Sequence, residues 1–192
     1  MTNKEKFMTL VGPVVLSVIY AATSPIINIY FMQLISSKVL AIANMLGMIC
    51  ATLVNFSVPI GKMKELYRKN FTFIVLIDII CYCIISFTGL EYPEIRFIGF
   101  ALLNAVSTTL WWTIMNNAIN RRIKSDELTD WQAFEKSLEL VGSIVGCIIA
   151  IFFTDIPIEY CIGAQCIANI FMGITDLKAF QMLSKKTYMQ IG

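Results

Sequence analysis

The chain predicts an all-α integral membrane protein of six transmembrane helices with both termini cytoplasmic, and three observations carry that prediction. Of its 192 residues, 57% are hydrophobic and only 15% charged, with a mean hydropathy of +0.72. A soluble domain is closer to a quarter charged. Apolar runs of about twenty residues with few charges recur along the chain, each long enough to cross a ~30 Å hydrocarbon core. Finally, the few cations are sorted: thirteen of the fifteen Lys and Arg fall at the N-terminus, in the second and fourth connections, at the start of the fifth run and in the tail, and only Lys38 and Arg96 fall on the other side.

The runs lie at about 10–34, 39–60, 71–90, 95–119, 131–153 and 158–177, in one transmembrane domain covering 1–192. β-Barrel strands would be half as long and would alternate in polarity. The first run follows Lys4 and Lys6 and continues too far for the apolar part of a signal peptide, so it reads as an uncleaved span. The connections SSK, GKMKELYRKN, EYPE, NRRIKSDELTD and TDIP alternate short and long. The long ones carry the cations, so by the positive-inside rule they and both termini face the cytoplasm. A charge bias this strong excludes insertion in both orientations.

Composition also removes several function classes. There is no His, and none of the six Cys stands in a CxxC pair, so neither a zinc site nor a disulfide framework is expected and no metal or cofactor is assigned. No basic patch interleaves with aromatics, which argues against nucleic acid. An HExxH, paired aspartates or a Ser/Lys dyad is missing, so an enzyme is not expected. The six cysteines, all in or at the ends of apolar runs, read as inert thiols.

Within the spans, polar residues fall at helical spacing. Ser17, Tyr20, Ser24 and Asn28 mark one face of the first, which Pro13 and Pro25 interrupt. That face predicts either a cavity wall or helix packing. Asn44 and Asn55 lie on the second span. Asn104, Thr108, Trp112 and Asn116 recur in steps of four on the fourth. Asp78 sits about seven residues into the third span, roughly 10 Å deep, where a carboxylate must face protein or water. It is expected either to relay a proton or to pair with a cytoplasmic-side Lys or Arg. Arg96 is expected at the outer interface. Gly142 and Gly146 form a GxxxG that permits close helix approach. Asp126, Glu127, Thr129 and Asp130 are expected as helix-start residues ahead of the fifth span. Gln165 and Asn169, one turn apart on the sixth, are expected to mark a packing or dimer surface.

The layout resembles the N-terminal six-helix half of the major facilitator superfamily. The stretch SPIINIYFMQLISSKVLAIANMLGMICATLVNFSVPIGK looks like its first two helices, and NNAINRRIKSDELTDWQAFEKSLELVGSIVG like its fourth loop and fifth helix. The family motif G-x-x-x-D-R-x-G-R-R/K after helix 2 is matched by Gly61 and Lys69, with Glu65 in place of the aspartate. Leu66 and Arg68 depart from it. In the family, helices 1, 2, 4 and 5 face a central cavity. The resemblance therefore implies Asn28, Asn104, Thr108 and Trp112 as substrate-cavity residues and Gly61, Glu65 and Lys69 as gating residues, while Asp78 is a coupling candidate by its depth, on a helix that is peripheral in the family. It implies secondary transport of a small organic solute across a bacterial-type plasma membrane. Family members have two such halves related by an axis along the membrane normal. A single half therefore needs a second copy, as a homodimer, or a partner half. Two alternatives stand beside this: a substrate-binding membrane subunit of an energy-coupling-factor-type importer, and a non-transporting fragment of a longer transporter.

Overall fold

The structure, a computed structural model, describes the backbone of residues 1–57, 68–152 and 156–188, and their side chains except at 57, 108, 112, 125 and 185–188. The described residues form six helices and no strand: α1 (Asn3–Met32), α2 (Ser37–Ser57), α3 (Phe71–Glu91), α4 (Pro93–Asn120), α5 (Ser125–Phe152) and α6 (Ile158–Tyr188). Among them α1, α2, α3, α4 and α6 are long and apolar enough to cross a membrane. α5, which holds the remaining expected span, is not among them: Glu135, Lys136 and Glu139 fall within its apolar stretch. Asp126, Glu127 and Asp130 lie inside its first two turns, not ahead of it, with Asp126 and Glu127 in the first turn, where they favour the positive end of the dipole.

Helix ends follow from local chemistry. α1 opens on a capping box: Thr2 N–H donates to Glu5 Oε2 at 2.7 Å, and Glu5 N–H donates to Thr2 Oγ1 at 3.3 Å. Ser36 Oγ accepts the Val39 N–H at the start of α2. Between α3 and α4 stands Tyr92 alone, at φ −127° and ψ 80°. Pro93 cannot continue α3, because it lacks an N–H and its ring would meet a carbonyl of the preceding turn, yet its fixed φ suits the first position of α4.

The chain divides into two compact units, and the division runs through α1 and α4. Met1–Asn28 and Asn116–Gly192 make the first, and Ile29–Met115 make the second. In the first unit α1 is the spine. Gly142 and Gly146 of α5 lie against it, a Cβ at Gly142 falling 3.1 Å from Val14 O and one at Gly146 running into Val18 O and Ala21. On α6, Thr175 Oγ1 occupies the space a side chain at Gly12 would need. One end of the unit is closed by Ile119, Ile123, Trp131 and Leu183, with Lys6 Nζ 5.6 Å from the centre of the Trp131 ring. There the Arg122 guanidinium donates to the Leu183 carbonyl at 2.6 and 3.1 Å, tying the α4–α5 turn to α6.

In the second unit, α2 and α4 approach closely where Gly47 meets Ala101, a Cβ at Gly47 standing 3.0 Å from Ala101 O. α3 and α4 meet at Gly89, whose face is filled by the Arg96 side chain, and at Gly99, which packs on Ile85.

The glycines give a graded test. Gly146→Ala forces a methyl onto the α1 backbone, and overpacking of this kind costs about 1–3 kcal/mol. Gly163 on α6 has nothing within 4 Å of its Cβ position, so Gly163→Ala leaves stability unchanged or raises it by up to about 1 kcal/mol. Thermal melting of the purified variants in one detergent checks the contrast.

Candidate functional site

Polar groups inside the apolar helices fall into two sets, those closed on one another and those left exposed. The first unit closes its own. Gln165 of α6 is buried, and its amide donates to Thr23 Oγ1 at 3.0 Å and Ser24 Oγ at 3.2 Å. One turn away, Asn169 Nδ2 donates to Tyr20 Oη at 3.0 Å. Ser17 Oγ bonds back to Pro13 O at 2.8 Å, while its Cβ abuts Gly142. Three members of the α1 stripe are thus packing groups facing α5 and α6. Asn28, the fourth, is exposed.

The second unit holds the charged groups. Asp78 on α3 is half-buried and accepts a hydrogen bond from Ser107 Oγ of α4. A hydroxyl therefore stands where one of the two readings of Asp78 put a cytoplasmic Lys or Arg, and it bonds the carboxylate without a second charge having to be desolvated. Arg96, in the first turn of α4, is buried to 6% exposure. Its guanidinium carbon sits 4.6 Å from the Phe31 ring centre and 4.7 Å from that of Phe100, and Nη1 donates to Ser86 O at 3.3 Å. Glycine at 89 makes room for the aliphatic stem. The planar cation is held by two aromatic faces and a helix carbonyl, a fit that a lysine ammonium cannot reproduce.

Of the residues expected to line a cavity, Asn104 lies exposed on α4 in the second unit and Asn28 exposed on α1 in the first. Asn44 and Asn55 of α2 are exposed as well. Thr108 and Trp112 belong to α4, but their side chains lie outside the described residues, as do Gly61 and Glu65 altogether. Lys69 is exposed just ahead of α3. Among the described residues no group of His, Cys, Asp and Glu is arranged to hold a metal.

Sequence reasoning missed Ser107 and Thr23 as partners. Ser107 follows Asn104 by three residues, and that spacing on the α4 surface was the available signal. The depth of Glu135 and Asp176, both buried, was not anticipated either. No family model, curated protein or solved structure matches the chain.

Two measurements test these assignments. A double-mutant cycle on Thr23→Val and Gln165→Leu gives a coupling of about 0.6 kcal/mol, and not above about 1.7 kcal/mol, the range for hydrogen bonds between membrane helices. Arg96→Lys destabilises nearly as much as Arg96→Leu, because the two-sided stacking is lost in both. Melting curves for the two variants coincide within a few degrees, well below wild type.

Proposed function

We propose that this chain is a half-size membrane carrier for a small organic solute, uncharged or weakly polar, completed by a second copy or a partner half. It resembles the N-terminal half of a major facilitator transporter. On this reading six spans cross the membrane, with the cation-rich connections and both termini in the cytoplasm.

One observation carries the reading: Asn104 is exposed deep within an apolar helix. It lies eleven residues from Pro93, about 16 Å along α4. Leaving an amide in hydrocarbon with no partner costs about 4–8 kcal/mol on the water-to-cyclohexane scale. The amides of α6 avoid that cost by bonding to α1. The exposed amide of α4 escapes it by facing a hydrated cavity or a second protein surface. The exposed amides of the second unit sit on α2 and α4, two of the helices that face the cavity in the family it resembles. They bear no charge, which favours a neutral solute bound by amide hydrogen bonds. The Asp78–Ser107 pair, whose hydroxyl stands three residues beyond Asn104 on the same helix, is the place for coupling to a cation or proton.

The test is reconstitution. Purified protein in sealed liposomes takes up members of a labelled panel of neutral organic solutes. Asn104→Ala lowers that uptake at least tenfold while leaving the melting temperature within a few degrees of wild type. Asp78→Asn retains exchange of solute across the bilayer but loses uphill accumulation. Tight vesicles that take up nothing, with no panel member raising the melting temperature, would sink the carrier reading.

A further inference from the structure

We infer that the α2–α4 face of the second unit is closed by a second copy of this chain, with Asn104 of each copy meeting its counterpart on a two-fold axis along the membrane normal. The solute site then lies on that axis. This rests on the carrier reading and names the surface on which it is completed.

The face is built around the Gly47–Ala101 contact, which brings the two helices together with little side chain between them. Asn44 stands three residues before Gly47, and Asn104 three residues after Ala101. Both are exposed. α2 and α4 each begin after a connection on the side opposite the cation-rich loops, so they run in the same direction. The two amides therefore flank the contact at different depths, each about 4.5 Å along its helix from it. Beside Asn44 project Met45 and Met48, at 53% and 72% exposure. Methionine is unbranched and adaptable, and it serves surfaces that must fit a partner as well as a ligand.

Orientation selects the occupant. The cation bias inserts every copy the same way round, so a two-fold axis between copies must run along the membrane normal. A residue placed on such an axis faces its own counterpart at equal depth. A charged residue there would meet its like. An asparagine amide meets a donor with an acceptor and an acceptor with a donor, so it pairs with itself. No Lys, Arg, Asp or Glu lies within five residues of Asn44 or of Asn104 in the sequence. A self-complementary, uncharged face is what a second copy requires. Amides that exchange one another for a solute's polar groups also give the site a closed and a loaded state.

The experiment uses the full chain in lipid bilayers with a short bis-maleimide. Asn104→Cys yields a covalent dimer at least fivefold above wild type, whose own exposed Cys147 and half-buried Cys50, Cys81 and Cys83 set the background. Ile84→Cys, exposed at 59% on α3, does not exceed that background. Because a cysteine at 104 removes the amide, single-molecule photobleaching of fluorescent-tagged protein provides a second readout. Wild type and Asn104→Gln bleach mainly in two steps, and Asn104→Leu mainly in one. Single-step bleaching of wild type, or crosslinking no stronger at 104 than at 84, overturns the proposal. If the dimer forms through residue 104 but no solute is carried, the surface stands and the carrier reading falls. Uptake by a protein that bleaches in one step sustains the carrier and removes this face.

Discussion

The hydrocarbon interior supplies no hydrogen bonds, and this constraint organises the molecule more than apolar burial does. Helices satisfy their backbones internally, so the question passes to the side chains. Hydroxyls answer it cheaply. Thr9, Thr23, Thr52, Thr109, Thr113, Ser137 and Ser143 each donate to a carbonyl about one turn back in their own helix. Amides are too demanding for that solution alone. Gln165 and Asn169 therefore draw α6 onto α1, and the two GxxxG glycines let α5 reach the same helix. Charge is the hardest case. Arg96 is accommodated by two ring faces and a carbonyl, and Asp78 by a hydroxyl.

The helices themselves were readable from the residues. Sparsely charged apolar runs located them, and the described helices overlap each expected run. The ends were less legible. α1 begins at Asn3, well before the apolar run, and α6 continues to Tyr188, well beyond it. An amphipathic terminal turn standing in the interface has the composition of a loop, and only its capping box or its packing on Leu183 distinguishes it.

Which side chains meet was much less legible, for a physical reason. In a soluble protein the apolar face of a helix points inward. In lipid both the packed face and the outer face are apolar, so periodicity identifies a stripe without saying what it faces. The Ser17–Asn28 stripe illustrates this: its spacing is compatible with a cavity wall, and three of its four members turn out to pack on α5 and α6. Arg96 shows the converse. Its position near a helix start resembled an interfacial residue, and nothing in the local sequence indicated that Phe31, sixty-five positions earlier, would stack on it. The candidate site is legible only as composition, as uncharged amides on α2 and α4. The hydroxyl facing Asp78 needed coordinates.

The Gly146 contact also bears on heredity. Every missense change reachable by one nucleotide from a glycine codon adds a side chain, and at this position even the smallest meets the backbone of α1. The codon has no conservative neighbour, so drift there is closed off. At Gly163, where space is open, an alanine meets nothing, so that codon keeps a tolerated neighbour.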